Sequence, residues 1–563
     1  MYERPVSPRG GQRRRKLKFL VVAGPAAIVL CGPAGLQSQA NLQGQANLQG
    51  QAGGSRGAAW AAAKWGDPAT DAKAKNSKGK NTPSQDAGAL ATVTTVIGAR
   101  DLWKKKDDAG RAITGQGVTV ALLDSGVDTA VPGLNDPGKV LSGPDLSLEA
   151  NSPDLRGRDT FGHGTHMASI IAARDTVPVN KKGEPQPADT DVQLGVAPDA
   201  QLLAVKLATT DGSTDVSEVI AALDWVVQHR DDNGMRVRVI NLSYGTGSVQ
   251  PYQQDPLAAA AENAWKHGIV VVTSGGNDGP AATGLTDPAV DPYLLAVGAT
   301  DPHAEVSGWS NPTVAWFSSR SPGRHVDLVA PGASIAGLRA PGSFIDVTHP
   351  EGLVSGDTTG RLLRGSGTSQ AAAVTTGAVA LLLQAYPDLT PDQVKAALVT
   401  SAQPITGMTA DQGAGELDVG AAFKAAKKIA KQSAKDRDAT AQTFPAATGL
   451  GSLEAARGGS NLTDAETGAI LRGEIDVQSA PWNPAQWRAA SVTATAWTGG
   501  RWNGRRWSGD GWTGANWNSS AWDGTGWSGA RWSDRSWTGA RWSNARWTGA
   551  KWTGASWTDQ DWG

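Results

Sequence analysis

Four nearly continuous apolar runs recur along the first half of the chain, at residues 118–123, 202–205, 237–240 and 269–272. A strand buried on both faces reads as an unbroken apolar run, whereas a half-solvated strand alternates. Between these runs lie segments with helical patterning, at 216–228 and 258–265. Strands alternating with helices predict an α/β fold: a mostly parallel sheet in three layers, with helices on both faces. Residues 370–383 read as a buried apolar helix. The next helix has a marked start, with Thr390 as N-cap, Pro391 at the first helical position and Gln393 closing a capping box.

At 563 residues the chain exceeds one compact domain, and its texture divides it. Residues 1–40 carry Arg13-Arg14-Arg15-Lys16-Leu17-Lys18 and then an apolar run from Phe19 to about Leu36. Basic then apolar is the pattern of a signal peptide, with cleavage expected after Ala40. The run also approaches the length of an uncleaved anchor. Cys31, the single cysteine, follows Leu30 and reads as part of the apolar segment rather than as a lipidation site, and it excludes an intramolecular disulfide. Residues 41–95 are a low-complexity spacer without a recognisable folded pro-region. A peptidase-like body spans 96–425, and 426–480 reads as a linker with little core-forming capacity. From 481 to 563 tryptophan recurs every fifth residue, with Val492 keeping phase at the one gap. The net charge of −1 argues against a nucleic-acid partner.

Three short motifs carry candidate chemistry. Asp124 sits in Leu122-Leu123-Asp124-Ser125-Gly126, at the end of the first strong strand. His163 lies in Gly162-His163-Gly164-Thr165-His166, opening a helix over 165–173. Ser369 stands in Gly365-Ser366-Gly367-Thr368-Ser369-Gln370, at the start of the long apolar helix. Taken singly each is ordinary: a turn after a strand, a weak i, i+3 histidine pair, a Gly-Thr-Ser loop. Together they supply a nucleophile, a base and a carboxylate able to hold the base in one tautomer. At the carboxyl ends of parallel strands such groups converge, and a helix N-terminus favours negative charge developing at the serine.

The chain order Asp, His, Ser is that of subtilisin and differs from the chymotrypsin and α/β-hydrolase orders. From about Val96 to Phe423 the chain resembles the subtilisin-like serine proteases, the subtilases. The resemblance implies a subtilisin-like fold, with Ser369 as nucleophile, His163 as base, Asp124 as its orienting carboxylate and His166 as a structural histidine. Val271-Val272-Thr273-Ser274-Gly275-Gly276-Asn277 resembles the oxyanion segment, so Asn277 is expected to donate to the oxyanion with the Ser369 N–H. Ser243, Tyr244 and Gly245 are expected to bind an extended peptide through the backbone, with Ser274, Gly275 and Gly276 forming the opposite pocket wall. Asp287-Pro288 falls where the family often has a cis-proline turn. The chain departs from the family at Gln370, where methionine is frequent, and at Ala373, where proline is usual. Catalysis is expected to need no cofactor. Structural calcium is common in secreted members, and Asp211, Asp215 and Asp287 offer oxygens, but no spacing assigns ligands.

The expected function is that of a secreted or envelope-attached serine endopeptidase acting on protein and peptide substrates. The tryptophan array leaves three readings open: a flexible tail, a β-solenoid, or an adhesive surface that stacks on cell-wall sugars or lies at a membrane. The last supports an alternative function as a surface-binding protein on a weakly active protease scaffold.

Overall fold

The computed structural model describes residues 86–507, apart from 151, 153, 177–191, 303–311, 408, 434, 437–438 and 465–468. Beyond these it gives only two backbone pairings, Trp537–Thr538 with Thr463–Asp464 and Lys551–Trp552 with Tyr244–Gly245. The expectations for the signal segment, Cys31, most of the spacer and the distal tryptophans lie outside the described residues.

The sheet is built from β1 (Thr119–Asp124), β2 (Val140–Asp145), β3 (Gln201–Lys206), β4 (Val237–Leu242), β6 (Val270–Ser274), β7 (Leu295–Asp301), β8 (Thr313–Val314) and β9 (Leu328–Pro331), with the two-residue β5 (Tyr244–Gly245) following β4. The order is β2-β3-β1-β4-β6-β7-β8, with β9 also on β7. Every pairing is parallel except β7 with β8. All four apolar runs predicted as strands lie in or beside β1, β3, β4 and β6. Every residue of β1 and β6 is buried, as a centrally placed parallel strand requires.

Helices cover the sheet. The helices His163–Ala172 and Thr368–Ala385 pack against each other, and the second crosses β4, β6 and β7. All 18 residues of Thr368–Ala385 are buried, which explains a sequence of mostly small and apolar residues with no charged side chain. Two further helices, Val216–His229 and Pro256–Lys266, pack together and against β1 and β6. Their starts are capped by Asp215, in a capping box with Glu218, and by Asp255, with Pro256 at the first position. The predicted cap at Thr390 forms with Gln393 as expected.

Three boundaries differ from expectation. The spacer ends early: Leu90–Val96 is a helix with Leu90 and Val93 buried, and Arg364 pairs with Asp86 at 2.6 Å. The 426–480 stretch is not a linker, because Leu453, Ala456, Leu462, Leu471 and Val477 join the main core. The tryptophan repeat likewise begins as packed structure: Trp482, Trp487, Trp497, Trp502 and Trp507 are between 1% and 6% exposed. Their rings interlock, with centroids 5.1 Å apart for Trp482 and Trp487 and 5.7 Å for Trp502 and Trp507. A buried carboxylate organises them: Asp224 Oδ2 accepts from the indole N–H of Trp487 and of Trp502, both at 2.8 Å, and Oδ1 from Ser491 at 2.6 Å. Spacing alone left the array's structure open because the apolar surface that covers these rings comes from helices more than 200 residues away.

Candidate active site

Asp124 closes β1 and is fully buried. Its strand is paired on both sides, to β3 and β4, so the carboxylate is delivered from the middle of the sheet. His163 is the first residue of its helix rather than part of a preceding turn. Gly162 before it takes a left-handed conformation, φ 110°, which a side chain would strain. His163 Nδ1–H donates to Asp124 Oδ1 at 2.8 Å and lies 3.0 Å from Oδ2. Burial pushes the Asp124 carboxyl up, while His163 and the Ser125 N–H at 2.8 Å oppose that shift.

A second carboxylate, not singled out in the sequence, ties these two segments together. Asp159 Oδ1 accepts from Ser125 Oγ at 2.8 Å and from Gly162 N at 2.7 Å, and Oδ2 accepts from Thr165 N at 2.7 Å. Ser125 Oγ in turn accepts from Gly164 N at 2.9 Å. The approach is so close that a Cβ on Gly164 would stand 2.0 Å from the Gly126 carbonyl oxygen. From the other side Lys206, nearly fully buried, donates to the Ser125 carbonyl at 3.0 Å and pairs with Glu149 at 3.1 Å. The available signal was an aspartate four residues before His163, at the entry to a helix.

Ser369 is the second residue of the buried helix Thr368–Ala385 and is itself fully buried. Asn277 lies in the loop after β6. Its Oδ1 accepts from Thr368 N at 2.9 Å and Thr368 Oγ1 at 3.0 Å, while Thr368 Oγ1 accepts from Gly276 N at 3.2 Å. Both donors point at the amide oxygen, so the amide NH₂ faces away from Thr368. Among the described residues that NH₂ has no partner. The arrangement fixes the Asn277 side chain by its oxygen to the residue before Ser369 and leaves its NH₂ unused.

The expected substrate residues fall around this centre. Ser243 Oγ donates to the Ser369 carbonyl at 3.4 Å, which puts that end of the segment at the nucleophile. Tyr244 and Gly245 form β5. Across from them, Ser274 ends β6, and Gly275 and Gly276 follow. The Thr286 hydroxyl donates to the Ser274 carbonyl at 3.4 Å, and a Cβ on Gly245 would meet Thr286 at 2.4 Å. The Asp287-Pro288 peptide is cis, as expected. His166 is fully buried, and burial pushes it down to about 3, so it remains neutral throughout the range in which a histidine base titrates. That suits a structural role.

The three aspartates considered for calcium do not form a site. Asp215 is engaged by Arg457 at 2.7 Å, Asp287 is fully buried, and Asp211 accepts from Thr209 and Ser213. Among the described residues no group of three or more His, Cys, Asp or Glu side chains is placed to hold a metal ion.

The Subtilase family model matches residues 115–424. Serine protease AprX of Bacillus subtilis (strain 168) is 35% identical over 314 residues, 54% of this chain and 65% of that protein. Subtilisin BL of Lederbergia lenta is 33% identical over 318 residues, 56% of this chain and 93% of its own. Fervidolysin from Fervidobacterium pennivorans, described as a keratinolytic enzyme related to subtilisin, superposes with a TM-score of 0.45 at 26% identity, covering 62% of this chain and 48% of its own. The chain therefore belongs to the subtilase family. The family match ends at residue 424, so the packed segment from 440 to 507 lies outside it.

Proposed function

We propose that this chain is a serine endopeptidase that hydrolyses peptide bonds through Ser369, His163 and Asp124. The observation that carries the reading is the buried Asp124–His163 hydrogen bond at 2.8 Å; the helix that His163 opens packs against the helix whose second residue is Ser369, and the Asn277 NH₂ has no partner among the described residues. His163 takes the Ser369 proton as the hydroxyl attacks the scissile carbonyl, then returns it to the leaving amine. Asp124 holds the proton on Nδ1, so Nε2 is the basic nitrogen, and stabilises the imidazolium that forms. The Asn277 NH₂ and the Ser369 N–H take the oxyanion; removing one such donor costs a factor of about 100–1000 in turnover.

Substrate binds extended along Ser243, Tyr244 and Gly245, with a side chain entering between that edge and Ser274, Gly275 and Gly276. Support for this edge is that an extended segment of the chain itself, Lys551–Trp552, pairs antiparallel with Tyr244–Gly245. No acidic residue lies in either wall, so the pocket favours apolar side chains. The basic-then-apolar pattern over residues 13–36 supports secretion or attachment to the cell envelope. Among the described residues no helix is long and apolar enough to cross a membrane. The adhesive reading loses its first five tryptophans, whose faces are already covered by protein.

A fluorophosphonate probe tests the proposal. It should label the protein and fail to label Ser369→Ala; absence of labelling in both would remove the peptidase reading.

A further inference from the structure

The groove proposed to bind peptide does not end within the part of the chain matched by the family model. Ser243 adjoins the nucleophile through its 3.4 Å contact with the Ser369 carbonyl. A peptide paired along Ser243, Tyr244 and Gly245 therefore reaches residues 246–250 with the part farthest from its scissile bond. That outer stretch is held from two sides. On one side Thr246 and Asp287 exchange backbone hydrogen bonds at 2.9 and 3.0 Å, which ties it to the cis Asp287-Pro288 turn. On the other side it lies against the C-terminal extension. Gly458 approaches so closely that a Cβ there would sit 2.4 Å from the Gly247 carbonyl carbon and 2.5 Å from Ser248 N. The Gln250 amide donates to the Ser452 carbonyl at 2.9 Å and accepts from Ser452 N at 3.2 Å.

The extension is itself anchored by one side chain. Arg457, the last residue of the helix Leu453–Arg457, is fully buried. Its Nε donates to Asp215 Oδ2 at 2.7 Å. Nη1 reaches Glu454 at 3.0 Å and the Gly473 carbonyl at 2.8 Å, and Nη2 reaches the Ile475 carbonyl at 2.5 Å and Asp215 Oδ1 at 3.5 Å. All five guanidinium donors are used, the condition under which a buried arginine is tolerated. Asp215 is the N-cap of Val216–His229. The same guanidinium acts on Tyr244: burial and the charges of Asp215, Glu218 and Asp287 push its phenol well up, and Arg457 opposes them. Arg457 thus ties the extension to the capped helix, and the residue after it, Gly458, is the one that abuts Gly247 and Ser248.

We propose that residues 447–460 are the outer wall of the peptide-binding groove, with Arg457 as its positioning residue, so that affinity for long peptides depends on sequence outside the matched family region. This inference rests on the peptidase reading above. A rigid edge gains nothing for a peptide too short to reach it. For a longer one, an edge that must order on binding raises KM.

The test uses the full chain and nitroanilide peptides of two and six residues. In Arg457→Met the kcat/KM for the hexapeptide should fall about tenfold, through KM, while the dipeptide changes less than twofold. Fluorophosphonate labelling of Ser369 should keep its rate. Arg457→Lys, retaining charge but fewer donors, should lie between. Gln250→Ala removes the loop-to-extension bridge, together with the Gln250 bond to Asp255 at 2.7 Å, and should shift the hexapeptide in the same direction, which keeps the test open if Arg457→Met does not fold. Equal losses for both peptides would overturn the proposal in favour of a purely structural arginine, and so would unchanged KM in Gln250→Ala. If the parent protein neither labels nor cleaves, the peptidase reading itself has failed, a result distinct from these.

Discussion

At the scale of single residues, two buried polar side chains make the sharpest tests. Gln370 follows the proposed nucleophile, is fully buried, and neither amide atom has a partner among the described residues. Leaving such groups unpaired costs on the order of 1–3 kcal/mol. Gln370→Met should therefore not lower the melting temperature, and should keep hydrolytic activity. It should also make activity peroxide-sensitive, because a thioether beside the nucleophile oxidises to a polar sulfoxide. Parallel melts and peroxide-inactivation curves of the two proteins check both halves. Asp291 gives a pH signature. Burial pushes its carboxyl up from 3.8 to about 7, with Glu262 adding and the Tyr293 N–H, Arg324 and Lys395 opposing. The folded state keeps a proton that the unfolded chain releases above pH 4. The stabilisation tied to that proton is full below about pH 4 and is lost as pH rises through about 7. Asp291→Asn has no such dependence and preserves the bond from Tyr293 N, which is 2.9 Å in length. The variant should gain on the parent between pH 4 and 8, by an amount on the order of 4 kcal/mol at the upper end. Parallel stability curves across that range would contradict it.

At the scale of elements, the site is an agreement between a strand end and two helix starts. β1 delivers Asp124, and the helix beginning at His163 delivers the imidazole. Asp159 fixes one to the other with three hydrogen bonds of 2.7–2.8 Å. Asp159→Asn places an NH₂ where an N–H or hydroxyl must donate. Catalytic groups displaced by about 1 Å lose on the order of 100-fold, so kcat should fall by about that factor with KM nearly unchanged. Ser125→Ala, which deletes one of the three bonds, should fall less. Full activity in a folded Asp159→Asn protein would show that the helix and strand hold their places without this carboxylate. The strands and the serine helix were legible because buried parallel elements are apolar throughout. The start of the histidine helix was set two residues late, because Gly162 and Gly164 look like a turn. Only the three-dimensional proximity of 126 and 164 shows why glycine is needed at 164.

At the scale of the whole molecule, the body extends past the family match to Trp507. A buried tryptophan removes roughly 150–250 Å² from water, about 4–6 kcal/mol each at 25 cal/mol per Å². Five such residues exceed the roughly 5–15 kcal/mol net stability of a typical domain. A chain cut after residue 480 should therefore fail to accumulate as folded protein, whereas one cut after 507 should melt within a few degrees of the full chain and keep peptide hydrolysis. Expression and thermal melts of the two truncations decide this. A 480-residue chain as stable as the parent would mean that the tryptophan cluster adds nothing to the fold.

By itself the sequence determined the α/β class, the order and identity of the aspartate, histidine and serine, the Asn277 loop and the cap at Thr390. Those features are local or repeat a period, so neighbours along the chain carry the information. The tertiary structure alone decided that Asp159 braces the site, that Arg457 ties the C-terminal extension to Asp215, and that the first tryptophans are core. Each of these is a contact between segments far apart in the chain, or between turns whose spacing looks unremarkable. A polar or aromatic side chain becomes interior only when the remote surface that satisfies its hydrogen bonds and covers its apolar face has been brought to it by folding.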